Sequence, residues 1–291
     1  MNMRKNKYWG HVIALITVVV WGTTFVSTKV LLDYHLTPTV IFLLRFIMAY
    51  AGIVFIAPRK LFADTIKDEF LFVILGLGGG SVYFLSENTA LGITLVSNVS
   101  LIVCTSPILT AFLSQCFHKD EPLKKKLFYG SAIALTGVAF VVFNGSFILK
   151  VNPLGDFLAI VAALSWAVYS VTLKSLDSKY AVSFITRKVF FYGILTLILF
   201  LPFFPPNISL QMLLQPVVLA NLLFLGLVAS LLCYFLWNTA LKNIGVVRTT
   251  NYIYLIPLVT LITSTLVIDE KITPIAIIGA IMIISGVYLT R

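Results

Sequence analysis

An ionisable side chain inside an apolar helix is costly in lipid, and by default it marks a site. Glu87 stands in such a stretch, in Tyr83-Phe84-Leu85-Ser86-Glu87-Asn88. Its carboxylate can bind a cationic group or a proton; the alternatives are an interfacial position reaching water, or a pairing with Lys29 or Arg45 at similar depth. Arg45 lies in the second apolar stretch, and Arg187 and Lys188 are its counterparts in the seventh. Basic residues at mirrored depths either snorkel to the headgroups or make gate contacts. For Lys29, near a stretch end, snorkelling is the simpler reading. Glu87, Lys29, Arg45, Arg187 and Lys188 are therefore the coupling or gate candidates.

A second set has the chemistry of a cavity wall. Trp21, Thr24 and Thr28 fall at i, i+3 and i+7 and share one helix face, as do Trp166, Tyr169 or Ser170, and Leu173. Such a stripe lines a cavity or bonds neighbouring helices through hydroxyls. Tyr83, Asn98, Ser100, Tyr234, Asn251 and Tyr254 add polar or aromatic groups on other apolar stretches. The binding candidates are Trp21, Thr24, Tyr83, Glu87, Asn98, Trp166, Tyr169, Tyr234, Asn251 and Tyr254. Aromatic faces of this kind suit amphipathic or cationic groups. Covalent and metal chemistry find no comparable set. His11, His35 and His118 are scattered, no His/Asp/Glu group has metal spacing, and no Ser or Cys has a nearby base. There is no phosphate loop. Neither cofactor nor metal is expected. Cys104, Cys116 and Cys233 read as small buried hydrophobes.

The elements that position these residues follow from composition. Hydrophobic residues make up 59% of the 291 residues and charged ones 11%, against about 25% charged in a soluble domain; mean hydropathy is +1.02. No soluble core hides that much apolar surface, so lipid is the solvent and the chain must be helix or closed barrel. Apolar runs of roughly 18–22 residues decide for helix. Spans are predicted near 10–32, 38–57, 70–91, 95–116, 127–147, 155–174, 182–203, 217–241, 249–267 and 274–290. The net charge of +10 does not point to nucleic acid, because the basic residues sit singly or in small groups at helix ends. The basic start at Arg4, Lys5 and Lys7 mimics a signal peptide, but the first stretch carries Trp21 and Lys29 and reads as part of the mature fold.

The chain also repeats itself. Gly10 to Lys29 aligns with Gly155 to Lys174, and Asn88-Thr89-Ala90-Leu91 recurs as Asn238-Thr239-Ala240-Leu241. Pro107 recurs as Pro257, Asp120-Glu121 as Asp269-Glu270, and Gly130/Gly137 as Gly279/Gly286. With the N-terminus inside, fifteen Lys and Arg fall in inside segments, two (Lys150 and Lys271) outside, and four within spans. That asymmetry places both termini in the cytoplasm. Five spans per copy make the second copy enter upside down, an inverted repeat. Duplicated residues read as structural. Asn88 and Asn238 are expected to cap a turn, Pro107 and Pro257 to kink their helices, and Gly76, Gly78, Gly79, Gly80 and Gly226 to permit close packing. Glu87 opposite Trp237 and Asn98 opposite Arg248 mark divergence.

The five-helix unit has Trp in its first helix, Asn-x-Ala-Leu near the end of its third, Pro in its fourth, an acidic residue before its fifth and Gly-x6-Gly along it. It resembles the EamA-type unit of the drug/metabolite transporter superfamily, present twice, at 9–148 and 154–291, with a short linker at 149–153. The resemblance implies an all-α integral membrane carrier of ten helices with a central cavity between inverted halves, in the inner membrane, commonly exporting amino acids or related metabolites. A small-molecule substrate and membrane lipid are the expected partners, with no obligate protein partner; coupling stays open between proton antiport, with a proton as coupling ion, and facilitated exchange, which needs none. A membrane enzyme and a channel or scaffold subunit are the rival classes, separated from a carrier by saturable counterflow.

Overall fold

The computed structural model describes residues 3–57, 60–94, 96–117, 125–143, 152–203, 205–206, 210–268 and 272–290. Regular structure among them is helical throughout. The first half holds α1 (Met3–Asp33), α2 (Pro38–Val54), α3 (Ile66–Ile93), α4 (Val96–Val103 and Ser106–Phe117) and α5 (Lys125–Phe143). The second holds α6 (Pro153–Lys174), α7 (Val182–Leu197), α8 (Pro216–Ile244), α9 (Val246–Ile268) and α10 (Pro274–Leu289). Eight helical stretches among the described residues are long and apolar enough to cross a membrane. The remaining two, α2 with 17 residues and α10 with 16, reach about 25 Å at 1.5 Å per residue. The acidic pairs Asp120-Glu121 and Asp269-Glu270, His118, Lys150, Lys271 and most of the linker 149–153 lie outside the described residues.

Three helix starts show why these boundaries fall where they do. Thr37, Asn152 and Thr273 each accept a bond from the backbone N–H three residues on, and each is followed by proline at the first helical position. The cap satisfies an orphan donor, and the proline removes another while presetting φ. Asn88 and Asn238 do not act as caps. Both are buried within their helices, which end at Thr94 and at Gly245, the latter at φ 86°. Asn238 instead bridges helices, accepting from the Tyr169 hydroxyl and donating to Thr186 Oγ1 at 3.0 Å.

The two halves share their irregularities. In the third helix of each, the α-helix widens to a π-helix, at Leu77–Ser81 in α3 and at Phe224–Leu232 in α8. The α3 segment is Leu-Gly-Gly-Gly-Ser, and Gly80 takes a backbone (φ −133°, ψ −110°) outside the helical region, which a glycine adopts readily. The fourth helices are interrupted just before the duplicated prolines. In α4 the break falls at Cys104–Thr105, ahead of Pro107. In α9 the turn Asn251–Leu255 tightens to 3-10 ahead of Pro257. Proline lacks the N–H that would close the preceding turn and its ring crowds that carbonyl, so the expected kink is a local rewinding.

Packing between the halves is close and antiparallel. On α5 and α10, a Cβ at Gly130 would sit 2.7 Å from the Gly286 carbonyl oxygen, and one at Gly137 2.6 Å from that of Gly279. The reverse approaches are 2.5 Å and 2.6 Å. Residues matched by the repeat therefore cross-pair, as a two-fold relation requires. The third helix of each half also packs on the second helix of the other, α3 on α7 and α8 on α2. One of these contacts is apolar, built on Leu36, Val40, Ile41, Val218, Leu222 and Leu225. The other is charged: Lys179 pairs with Asp68 at 2.8 Å, Lys188 with Glu69, and Arg187 donates to the Lys60 carbonyl. Elsewhere Lys7, Lys174, Lys242 and Arg248, all assigned to one side by the charge count, border a single recess.

Candidate functional site

A pocket lined by α1–α4, α6, α8 and α9 lies between the halves, with a free volume of about 40 Å³. Its walls are largely residues that the repeat equates. Trp21 faces Trp166, Phe84 corresponds to Tyr234, Val103 to Ile253 and Ser106 to Ile256, and all eight line it. The Trp21 and Trp166 rings meet edge to face at 5.2 Å, and Tyr83 and Tyr234 lie 5.0 and 5.9 Å from Trp166. Trp237, the counterpart of Glu87, is fully buried behind Trp21 at 4.9 Å. A space this small holds about three waters, so a solute larger than that requires the walls to move.

The π-helical segments tie the pocket together. Trp21 Nε1 donates to the Ala229 carbonyl at 3.0 Å, and the Tyr234 hydroxyl donates to the Gly79 carbonyl. Gly79 and Ala229 are repeat counterparts, each inside its π-helical segment. Widening the helix shifts carbonyls out of their usual pairing, and each of these accepts a bond from an aromatic donor of the opposite half. The helix irregularity and the pocket aromatics thus form one arrangement.

The pocket's charges break its symmetry, since both come from the first half. Glu87 is 8% exposed and accepts from the Tyr83 hydroxyl at 2.6 Å. Arg45 is 3% exposed, donates from Nε to Ser230 Oγ at 3.2 Å, and stacks its guanidinium carbon 4.4 Å from the Phe84 ring centre. Of the two readings of Arg45, snorkelling to the headgroups does not fit its burial. No ion pair joins Glu87 to Arg45 or Lys29 among the described residues. Burying an ion costs several kcal/mol even after relaxation, and here a carboxyl group and a guanidinium share a pocket without a direct ion pair.

The other candidates are spread more widely. Thr24 lines the pocket and bonds back to the Trp21 carbonyl at 2.7 Å. Tyr169 is packed behind Trp166, at 5.0 Å, and is committed to Asn238. Tyr254 is fully buried, while Asn251 is buried with neither amide atom hydrogen-bonded. Asn98 lies 3.4 Å from Asp156, beside Thr94, away from the pocket. Lys29 is half-buried and paired to Asp33 at 3.1 Å. Arg187 and Lys188 do not reach the pocket, and burial rules out snorkelling for them too. Lys188 sits among Phe62, Phe72, Phe184, Phe191 and Tyr192, each ring centre 5.2–6.0 Å from its nitrogen.

Sequence reasoning missed Ser106, Ser230 and Phe84. It also missed a seam of hydroxyls. Ser106, Thr110 and Ser114 recur at four-residue spacing on α4, are at most 2% exposed and lack hydrogen-bond partners. Their period was visible in the sequence, but single hydroxyls in apolar helices usually bond to their own backbone and carry little signal.

Comparison with known proteins bears on the whole chain. Residues 8–143 and 153–291 each match the EamA-like transporter family. An uncharacterized transporter of Archaeoglobus fulgidus is 29% identical, with 96% of each chain covered. A probable amino-acid metabolite efflux pump of Escherichia coli is 26% identical over 96% of this chain and 93% of that one. A probable terminal-alkyne amino-acid exporter of Streptantibioticus cattleyicolor is 23% identical over 94% and 91%. A solved structure shares the fold with a TM-score of 0.77 at 17% identity, covering 97% of this chain and 96% of the other. These relatives are named as transporters and efflux pumps rather than enzymes. Matched in both halves, the chain is a multi-pass inner-membrane transporter and belongs to the EamA-like family of the drug/metabolite transporter superfamily.

Proposed function

We propose that this protein is a secondary transporter that exports an amino acid or a related small metabolite by alternating access. The observation that carries the reading is the pocket's position. It lies between the halves, walled by counterpart residues of α1, α3 and α4 and of α6, α8 and α9, so a symmetry-related rearrangement can expose it to either side. The chain would cross the membrane ten times as two inverted repeats, 9–148 and 154–291, linked by 149–153, with both termini cytoplasmic. The antiparallel α5–α10 crossing and the gathering of Lys7, Lys174, Lys242 and Arg248 around one recess support that topology. Export and the amino-acid class are supported by what the relatives in Escherichia coli and Streptantibioticus are named for.

Glu87 is the candidate for a coupling proton, because it is a buried acid in the pocket wall. The Ser106–Thr110–Ser114 seam, continuous with the pocket through Ser106, suits a passage closed in this conformation and hydrated in another. The test is counterflow in proteoliposomes with a panel of the twenty amino acids, with and without a pH gradient. Saturable exchange of at least one amino acid is the expected result. Flux that does not saturate, or turnover to a new chemical product, would end the carrier reading. A pH-gradient effect that survives in Glu87→Gln would remove Glu87 as the coupling group.

A further inference from the structure

The pocket holds an acid and a base that avoid each other. Arg45 uses Nε for Ser230, and among the described residues no hydrogen bond occupies its terminal nitrogens. Glu87 uses Oε1 for Tyr83, and among the described residues Oε2 has no bond. Two further pocket-lining groups are buried and unpartnered, Trp166 Nε1 and Ser106 Oγ. If the pair existed to hold helices together, direct contact would be the economical arrangement, since separated buried ions retain their desolvation cost. A ligand that satisfied both groups at once would carry negative charge toward Arg45 and positive charge toward Glu87, and would be short enough to span one pocket. The rest of the wall is apolar or aromatic, with Phe25, Val103, Ile253 and Ile256 among it.

We infer that Arg45 and Glu87 are the two poles of a zwitterion clamp. The terminal guanidinium nitrogens of Arg45 take the α-carboxylate, aided by the Trp166 indole N–H or the Ser106 hydroxyl. The free oxygen of Glu87 takes the α-ammonium, and the apolar wall takes an uncharged aliphatic side chain of modest size. This rests on the amino-acid reading of the pocket and adds which residue reads which end. It also explains why both charges come from the first half: a zwitterion has one orientation, so symmetric charges would not serve it. Trp21 and Trp166 line the same pocket, where a bound solute would alter indole emission.

The experiment uses purified full-length protein and reads intrinsic tryptophan fluorescence against three probes. L-Leucine carries both charges, leucinamide lacks the carboxylate, and 4-methylpentanoate lacks the ammonium. Arg45→Gln should weaken leucine by about 10–100-fold, the range for a hydrogen bond to a charged group, and leave leucinamide within about 3-fold. Glu87→Gln should weaken leucine and leucinamide similarly while sparing 4-methylpentanoate. Arg45→Lys, which keeps the charge but loses the fork, should fall between. The spared probe in each variant doubles as proof that the pocket is folded. Equal loss for all three probes, or no loss for leucine, overturns the clamp. Should wild type bind no leucine while exchanging other amino acids, the clamp as stated falls and the amino-acid reading stands. Should it exchange none of the twenty, both fall.

Discussion

Gly137→Ala adds one methyl group where two backbones touch. Its Cβ would meet the Gly279 carbonyl oxygen at 2.6 Å and the Ile283 nitrogen at 2.8 Å. Neither neighbour is a side chain that can swing aside. Reaching even a tight contact of 3.0–3.4 Å requires α5 and α10 to separate by about 0.4–0.8 Å. A gap of that order forfeits about a quarter to a half of the dispersion energy of each pair across the crossing. Overpacking of this kind costs about 1–3 kcal/mol, which exceeds the ~1 kcal/mol that alanine gains over glycine in a helix. The control is Gly92→Ala, also helical, where an added Cβ has nothing within 4 Å; it should be neutral or stabilising. The assay is thermal unfolding in detergent at one scan rate, since membrane-protein melting is rarely reversible. Gly137→Ala should melt several degrees lower and Gly92→Ala no lower than wild type. Gly137→Ala combined with Gly279→Ala should lose less than the two single losses added, because both open the same crossing. A Gly137→Ala protein that melts with wild type would refute the interlock, and strict additivity would refute the shared crossing.

Three further perturbations follow from other parts of the fold. Glu69→Gln should destabilise by about 3 kcal/mol, the low end for breaking a buried pair, because Lys188, with its side chain only 4% exposed, keeps its charge among rings without its carboxylate partner; adding Lys188→Met should recover most of the loss, and a double mutant that is additive would show the pair to be uncoupled. Thr110→Val removes a fully buried hydroxyl without a partner, so it should raise thermal stability by about 1 kcal/mol while slowing counterflow, and a fall in stability would mean the hydroxyl is bonded. Tyr180 lies between α6 and α7, where burial pushes its phenol up to about 12 while its hydroxyl donates to Asp68 at 3.0 Å. A raised acid stays protonated in the folded state, so this contribution is complete below about pH 10 and lost as pH rises toward 12. The phenolate absorbance difference between wild type and Tyr180→Phe should therefore appear only near the top of that window; a normal titration near pH 10 would contradict it.

Much of the fold was legible in residue order because lipid leaves a chain few options. Apolar runs of spanning length had to be helices, and prolines 107 and 257 had to disturb theirs. The glycines at 130, 137, 279 and 286 lie on helices whose backbones meet directly. These are local consequences of hydrogen bonding and side-chain size. The site was only partly legible. Trp21, Thr24, Arg45, Tyr83, Glu87, Trp166 and Tyr234 do converge on one pocket, and each was visible as a costly or aromatic residue in an apolar stretch. Asn98 and Lys29 had the same signal and lie elsewhere, because the sequence gives a residue's depth along its helix more directly than its facing.

Arg45 and the Arg187–Lys188 pair show where that limit falls. They are matched in sequence, yet Arg45 turns into the pocket while Lys188 turns toward Glu69 among aromatic rings. Asn88 and Asn238 read as caps by type, and only the packing of α6, α7 and α8 made Asn238 a bridge. By itself the sequence determined the helices, their interruptions and the duplication, since these depend on the solvent and the local backbone. Tertiary structure decided that Glu87 and Arg45 share a pocket without touching, and that Trp21 and Tyr234 hold the exchanged carbonyls of the opposite half. Those outcomes depend on helix rotation and on contacts between residues some 150–210 positions apart, which no local pattern encodes.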